Sequence, residues 1–161
     1  MISLIYAQSI NGYIGKDGDL LFVIPDDLRR FKELTKGSVV IMGRKTWESL
    51  PEKSRPLPNR TNVVLSRQVG LHLPGATVFS SLADALIHYC EEDVFIIGGE
   101  SLYLEGIDHA DVVYQTTVYR IADGDARAPY VNPGVWQVIE SSEVQHHNDL
   151  TYQYNTYRKL P

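Results

Sequence analysis

The sequence has a single cysteine, Cys90, among 161 residues. That excludes a disulfide framework and leaves too few thiolates for a structural zinc site. Long hydrophobic runs are missing as well. The longest wholly apolar stretch is Leu20–Ile24, far short of the ~20 residues that span a bilayer. The N-terminus, Met1-Ile-Ser-Leu-Ile-Tyr6, has no basic flank and no small-residue cleavage site, so a reduced, soluble, cytoplasmic protein without membrane contact is expected. Neither G-x-G-x-x-G nor a Walker A pattern occurs, so neither standard phosphate fingerprint applies. The histidines are scattered or adjacent, without companion ligands at metal spacing and without a Ser-His-Asp or Cys-His grouping. No metal is expected. With so little acid–base equipment, the chemistry is expected to come from a bound cofactor.

What is present reads as one globular domain over residues 1–161, because 43% hydrophobic and 22% charged residues fit neither disorder nor a fibrous repeat. The net charge of −5 hides an asymmetry: Arg29–Arg67 holds ten of the 15 basic residues and three acids, so it carries +7 against −12 elsewhere. Such a segment can concentrate a small ligand with several phosphates or carboxylates; the alternative is that its cations only solvate helix faces. The acidic remainder would repel an extended nucleic-acid backbone, and no nucleic-acid partner is expected.

Short β-branched runs predict strands at Ile2–Ala7, Val39–Met42, Asn62–Leu65, Val94–Ile97, Asp111–Val118, Val135–Glu140 and Thr151–Tyr157. The first four are nearly continuously apolar, as in parallel strands covered on both faces. Helices are predicted at Pro25–Thr35, Thr46–Leu50 and Ser81–Cys90, the last opened by a Ser81/Asp84 capping pattern, with Cys90 on its apolar stripe as a core thiol. From Asp111 onward no helix intervenes, which predicts antiparallel strands added at the sheet edge, with Ala122–Pro133 as a loop. The fold class is α/β with a mixed, mostly parallel sheet.

Two strand-to-helix corners stand out. Val39-Val-Ile-Met-Gly-Arg-Lys-Thr46 and Val94-Phe-Ile-Ile-Gly-Gly-Glu-Ser101 both leave a buried strand through glycine, where a helix start and bare backbone receive anions. With Arg67 they could together clamp a dinucleotide; the alternative is that each glycine only makes a tight turn. Asp26 and Asp27 open the helix after Leu20–Ile24; Asp26 is spaced to pair with Arg30, while Asp27 aligns with Phe31 and borders an apolar face. There desolvation raises a carboxylate's pKa and suits it to proton delivery or to binding a cationic heterocycle. The alternative is that both aspartates merely favour the helix dipole.

At this point the blocks Asn11–Gly15, Pro25–Lys32, Val40–Leu50, Arg55–Asn62 and Ile96–Tyr103 together resemble dihydrofolate reductase of the bacterial chromosomal type, over essentially the whole chain. The resemblance implies a single-domain fold with about eight strands, flanking helices and an antiparallel C-terminal edge strand. It also implies a monomer that transfers hydride from NADPH to C6 of 7,8-dihydrofolate, with a proton to N5. By resemblance Asp27 hydrogen-bonds the pterin's amino-pyrimidine edge, with Thr116 beside it. Ile5, Ala7, Leu28, Phe31, Leu50, Leu57 and Ile97 line the substrate site, and Arg60, with Arg55 near it, receives the glutamate tail. Arg44, Lys45, Thr46, Leu65, Ser66 and Arg67 correspond to the phosphate sites of NADPH. Ala7, Ile14, Gly15, Gly43, Ile97, Gly98, Gly99, Glu100, Ser101, Leu102 and Tyr103 complete the implied cofactor site. Asn11–Ile24, including Leu20 and Phe22, corresponds to the mobile closing loop, supported by Gly124 and Asp125.

One departure from the family's pattern falls in that loop, where Leu21-Phe22 stands in place of Pro-Trp. Phenylalanine keeps the aromatic bulk but has no N–H to hold a water near the pterin. Two alternatives are a reductase of another pterin or of a pyrimidine-ribose intermediate, for which Arg60 would have no tail to bind, and a non-catalytic protein binding folate and NADPH.

Overall fold

The computed structural model describes residues 1–161. Its elements in order are β1 (Ile2–Ser9), β2 (Tyr13–Lys16), β3 (Asp19–Leu20), α1 (Pro25–Thr35), β4 (Val39–Gly43), α2 (Arg44–Ser49), β5 (Thr61–Leu65), β6 (Ala76–Phe79), α3 (Leu82–His88), β7 (Val94–Ile96), α4 (Glu100–Gly106), β8 (Val112–Val118), β9 (Ala126–Arg127), β10 (Trp136–Ser141), β11 (Gln145–His147) and β12 (Leu150–Lys159). The main sheet runs β10-β12-β8-β1-β7-β4-β5-β6, with β11 added against β12, and β3-β2-β9 form a small separate sheet. No helix is long and apolar enough to cross a membrane.

The continuous hydrophobicity of the first strands has a direct structural cause. Neighbouring residues leave the sheet on opposite faces, and here both faces are covered. Leu4, Ile41, Val63 and Ile96 enter one core cluster, while Ile5, Val40, Val64 and Phe95 enter another on the opposite side. β1, β4, β5 and β7 accordingly pair in parallel. The antiparallel edge is made by β12 against β8 and β10 against β12.

Three expectations are corrected. β8 is parallel to β1, because the short helix α4, overlooked behind Gly98-Gly99, provides the crossover that a parallel connection requires. Cys90 is exposed: α3 stops at His88 and Tyr89 leaves the helical conformation at φ −103°, ψ 29°, so helical periodicity does not reach the thiol. Asp26 pairs with Arg29 at 2.8 Å, not with Arg30. The cap of α3 does form, with the Asp84 N–H donating to Ser81 Oγ at 3.1 Å.

Candidate active site

Strand register sets the floor of the site. Ala7 lies opposite Thr116 on β8, and Thr116 lies opposite Tyr154 on β12. One pleat away, on the same face, Ile5 lies opposite Tyr114. Helix α1 crosses this face. Pro25 occupies its first turn, where a missing N–H costs nothing, and the following turn brings Asp27 down onto the sheet. The Thr116 hydroxyl donates to Asp27 Oδ1 at 2.6 Å. Burial pushes the Asp27 carboxyl above its ordinary range, opposed by the Thr116 hydrogen bond and the charge of Arg30. A carboxyl so placed combines hydrogen-bond acceptance with a raised proton affinity.

The apolar wall follows. Ile5 is buried and Phe31, Leu50, Leu57 and Ile97 pack partly buried against the same cluster, while Leu28 stays exposed on α1. At the far end of α1, Arg60 donates from Nε to the Pro58 carbonyl at 2.9 Å and from Nη1 to Thr35 Oγ1 at 3.2 Å. Its guanidinium lies 5.8 Å from the Phe31 ring centre, and burial lowers its pKa. The remaining N–H groups of its fork are free for an anion. Arg55 is engaged differently, 3.8 Å from Glu52 and over the Trp47 ring.

The two glycine corners meet. Gly43 N–H donates to the Gly98 carbonyl at 2.8 Å, and the Gly98-Gly99 peptide is cis. A Cβ on Gly98 would come 3.4 Å from both Thr46 Oγ1 and Tyr103 Oη, so the floor here is bare backbone. Gly43 pairs with Leu65, which brings Ser66 and exposed Arg67 alongside Arg44, Lys45 and Thr46. Arg44 reaches Glu48 at 3.0 Å and also the side chain of Gln68. Hydroxyls, cations and open backbone at adjacent strand ends fit a phosphate-rich dinucleotide with an additional phosphate. Leu102 and Tyr103 point inward and are buried; the Tyr103 hydroxyl donates to the Ile5 carbonyl at 2.7 Å. They back this region instead of lining it. Ser101 is exposed on α4, and Glu100 accepts from the Arg127 backbone N–H.

Residues 11–24 form the rim. Ile14 is in the core and Gly15 is buried, whereas Leu20 is exposed. Phe22 packs against Ile24, Val118 and Tyr152. The segment is tied to residues 122–128: Asn11 exchanges hydrogen bonds of 2.9 and 3.0 Å with the Ala122 backbone. The Asp17 N–H donates to Asp125 Oδ2, and the Asp125 N–H to the Gly15 carbonyl, each at 3.0 Å. Gly124 leaves room for Tyr13, whose Cβ a side chain there would meet at 2.6 Å. A separate cavity of about 470 Å³ opens on the opposite face, lined by Gln8, Gln115, Thr117 and Asn155; it is away from Asp27 and contributes nothing to this site.

Sequence reasoning missed Tyr154 and the true partner of Arg30. The guanidinium of Arg30 lies 4.3 Å from the Tyr154 ring centre and 5.8 Å from that of Tyr114. The alternating tyrosines of β12 carried a signal, but the pairing with Thr116 depends on register.

A sequence model described as dihydrofolate reductase matches residues 1–159. Among curated relatives, the dihydrofolate reductase of Bacillus subtilis is 40% identical, covering 99% of this chain and 95% of that one. The Mycobacterium leprae enzyme is 38% identical, covering 99% and 98%. A solved dihydrofolate reductase from Enterococcus faecalis, complexed with NADP(H) and RAB-propyl, superposes with a TM-score of 0.90 at 31% identity, covering 100% of this chain and 97% of that one. Agreement in sequence and in overall fold along nearly the full length means that the chain belongs to the dihydrofolate reductase family.

Proposed function

We propose that this chain is an NADPH-dependent dihydrofolate reductase, converting 7,8-dihydrofolate to 5,6,7,8-tetrahydrofolate and so serving one-carbon metabolism. The observation that carries the reading is the half-buried Asp27 carboxyl, held by Thr116 beside the wall of Ile5, Phe31, Leu50 and Ile97. A flat heterocycle with an amino-pyrimidine edge satisfies both: its N–H groups donate to the carboxylate and its faces exclude water from the apolar wall. Membership of the family, and the NADP(H) bound by its Enterococcus relative, support the choice of cofactor.

In the reaction one hydride goes to C6 of the substrate and one proton to N5, releasing oxidised cofactor and tetrahydrofolate. NADPH supplies the hydride when bound. Arg44, Lys45, Thr46, Ser66 and Arg67 would hold its phosphates, with Gly43, Gly98 and Gly99 giving the backbone approach and Ala7, Ile14, Gly15 and Ile97 near its reactive end. Asp27 orients the pterin and favours its protonation; Ala7, Leu28 and Leu57 complete the substrate wall. Arg60 binds the tail carboxylate in a charge-assisted contact, with Arg55 alongside. Leu20 and Phe22 lie in the segment that closes over the ring, and closure excludes water from the reacting atoms.

We place the protein in the cytoplasm as a single-domain monomer over residues 1–161, with no nucleic-acid partner. The test is NADPH oxidation followed at 340 nm (an absorbance specific to the reduced cofactor) with dihydrofolate as substrate. Turnover that requires both molecules, and that falls sharply in Asp27→Asn while NADPH binding persists, is the expected result. No oxidation with dihydrofolate would overturn the reading.

A further inference from the structure

Arg30 has an unusual place for a helix-surface cation. It lies three residues after Asp27, and i, i+3 residues share a helix face. Asp26 is already paired with Arg29. Arg30 instead lies over Tyr154, 4.3 Å from the ring centre, with Tyr114 at 5.8 Å. Both distances are within the range at which a ring quadrupole attracts a cation. Tyr154 is itself fixed beside Thr116 by strand pairing, and Thr116 holds Asp27. Four side chains from α1, β8 and β12 therefore form a closed arrangement with one carboxylate and one cation that do not form a close ion pair.

From this geometry we infer that Arg30 is a positioning residue for Asp27: the Tyr154 ring pins a cation beside the site at a fixed distance, which keeps the half-buried carboxyl in its proton-accepting, hydrogen-bond-accepting form without blocking its oxygens. A close ion pair would occupy the oxygens that the substrate's amino-pyrimidine edge needs. A solvent-swung arginine would be screened by water and salt. Stacking on a ring avoids both. The groups that face Asp27 from other elements are few, Thr116 on β8 and Tyr152 and Tyr154 on β12, and Asp26, next to it on its own helix, is exposed. Burial pushes both tyrosine hydroxyls to higher pKa, so at neutral pH they add no charge and Asp26 is neutralised by Arg29. Arg30 is then the one cation acting on Asp27. In this assignment Tyr154 is a second positioning residue, acting through Arg30.

The inference rests on the proposed reductase reading for its purpose, but its test does not need turnover. The Asp27 side-chain carboxyl is titrated by carbon-13 NMR in the ligand-free protein, for the parent, Arg30→Met, Arg30→Lys, Tyr154→Leu and Lys32→Met. The midpoint is expected to rise in Arg30→Met. It should rise less in Arg30→Lys, which keeps a charge but stacks differently, and in Tyr154→Leu, which frees the guanidinium. Lys32→Met removes the same charge from the same helix at an exposed residue in no ion pair and is expected to leave the midpoint in place. In steady-state assays the pH profile of kcat/KM should move upward in Arg30→Met by the shift that NMR reads. An unchanged midpoint in both Arg30→Met and Arg30→Lys, or an equal rise in Lys32→Met, overturns the inference. Should Arg30→Met fail to fold, Arg30→Lys and Tyr154→Leu decide. A protein that shows the expected titration yet reduces no dihydrofolate would refute the activity and leave Arg30 in place.

Discussion

Thr116 Oγ1 donates a 2.6 Å hydrogen bond to Asp27 Oδ1, joining a central strand of the sheet to the first turn of the helix that crosses it. Thr116 is buried, so no bulk water can replace it. Hydrogen bonds to charged groups contribute about 1.5–3 kcal/mol. Thr116→Val removes the donor at nearly constant shape and is expected to lower kcat/KM for dihydrofolate by about tenfold or more. Because the lost bond favoured the ionised form, the apparent pKa of the profile should move up. Thr116→Ser should restore most of both. Equal kcat/KM in parent and valine variant would count against this role.

Asp27 also makes a prediction about stability. Burial raises its pKa in the folded protein above the value of 3.8 that it has when exposed. Between the two values the folded state binds more protons than the unfolded state, so stability falls as pH rises through the folded pKa. At neutral pH the ionised, partly desolvated carboxylate is therefore a cost to the fold. Asp27→Asn can still accept from Thr116 and carries no charge, so it is expected to raise Tm at neutral pH. A typical point-substitution effect of about 1 kcal/mol moves the Tm of a chain this size by about 2–4 °C. The gain should disappear below the exposed value, where Asp27 is protonated in both states. Thermal unfolding of both proteins across this range measures it, and a Tm that falls at neutral pH contradicts the sign.

Arg44 offers a test of cofactor choice. It lies at the glycine corner beside Ser66 and Arg67, and its present contacts with Glu48 and Gln68 are exposed and exchangeable. NADPH carries a phosphate that NADH lacks, and only that phosphate calls for an additional cation. Arg44→Ala is expected to weaken NADPH binding by about 10- to 100-fold, the equivalent of one charge-assisted contact. NADH binding should change little. Fluorescence titration of each cofactor gives both constants, and equal losses for the two would remove Arg44 from discrimination.

Much of this site could be read in the sequence because its parts are local. Pro25 followed by Asp26-Asp27 marks where α1 starts, and the doubled glycine marks the backbone corner. The β8 direction was not legible: it depends on α4, a seven-residue helix whose apolar face is too short to give a periodic signal. Cys90 was misplaced for a related reason, since the helix stops before it and nothing in its side chain reveals where. The contact between Arg30 and Tyr154 lay further out of reach. It joins the first helix to the last strand, and only the register of β12 on β8 brings the two together.

Phe22 stands where the family resemblance implies tryptophan, and the structure shows how the phenylalanine packs. The ring packs against Ile24, Val118 and Tyr152, with Ile24 and Tyr152 almost fully buried. It anchors the segment ahead of α1 by apolar contact alone, because phenylalanine carries no hydrogen-bond donor. Tryptophan at this position keeps the aromatic packing and adds an N–H at the ring edge, able to hold a water near the pterin. One such hydrogen bond contributes about 0.5–1.5 kcal/mol, so Phe22→Trp is expected to raise kcat or kcat/KM by up to about tenfold. The segment's docking should be preserved, because Asn11, Gly15 and Asp17 hold it through residues 122–125 by bonds that do not involve position 22. Pre-steady-state measurement of the hydride step against pH separates the cases: a donor that assists proton supply increases the rate most at high pH, where protons are scarce, whereas a packing effect changes it equally at all pH. Identical kinetic constants in the two proteins would mean that the missing N–H has no part in the reaction.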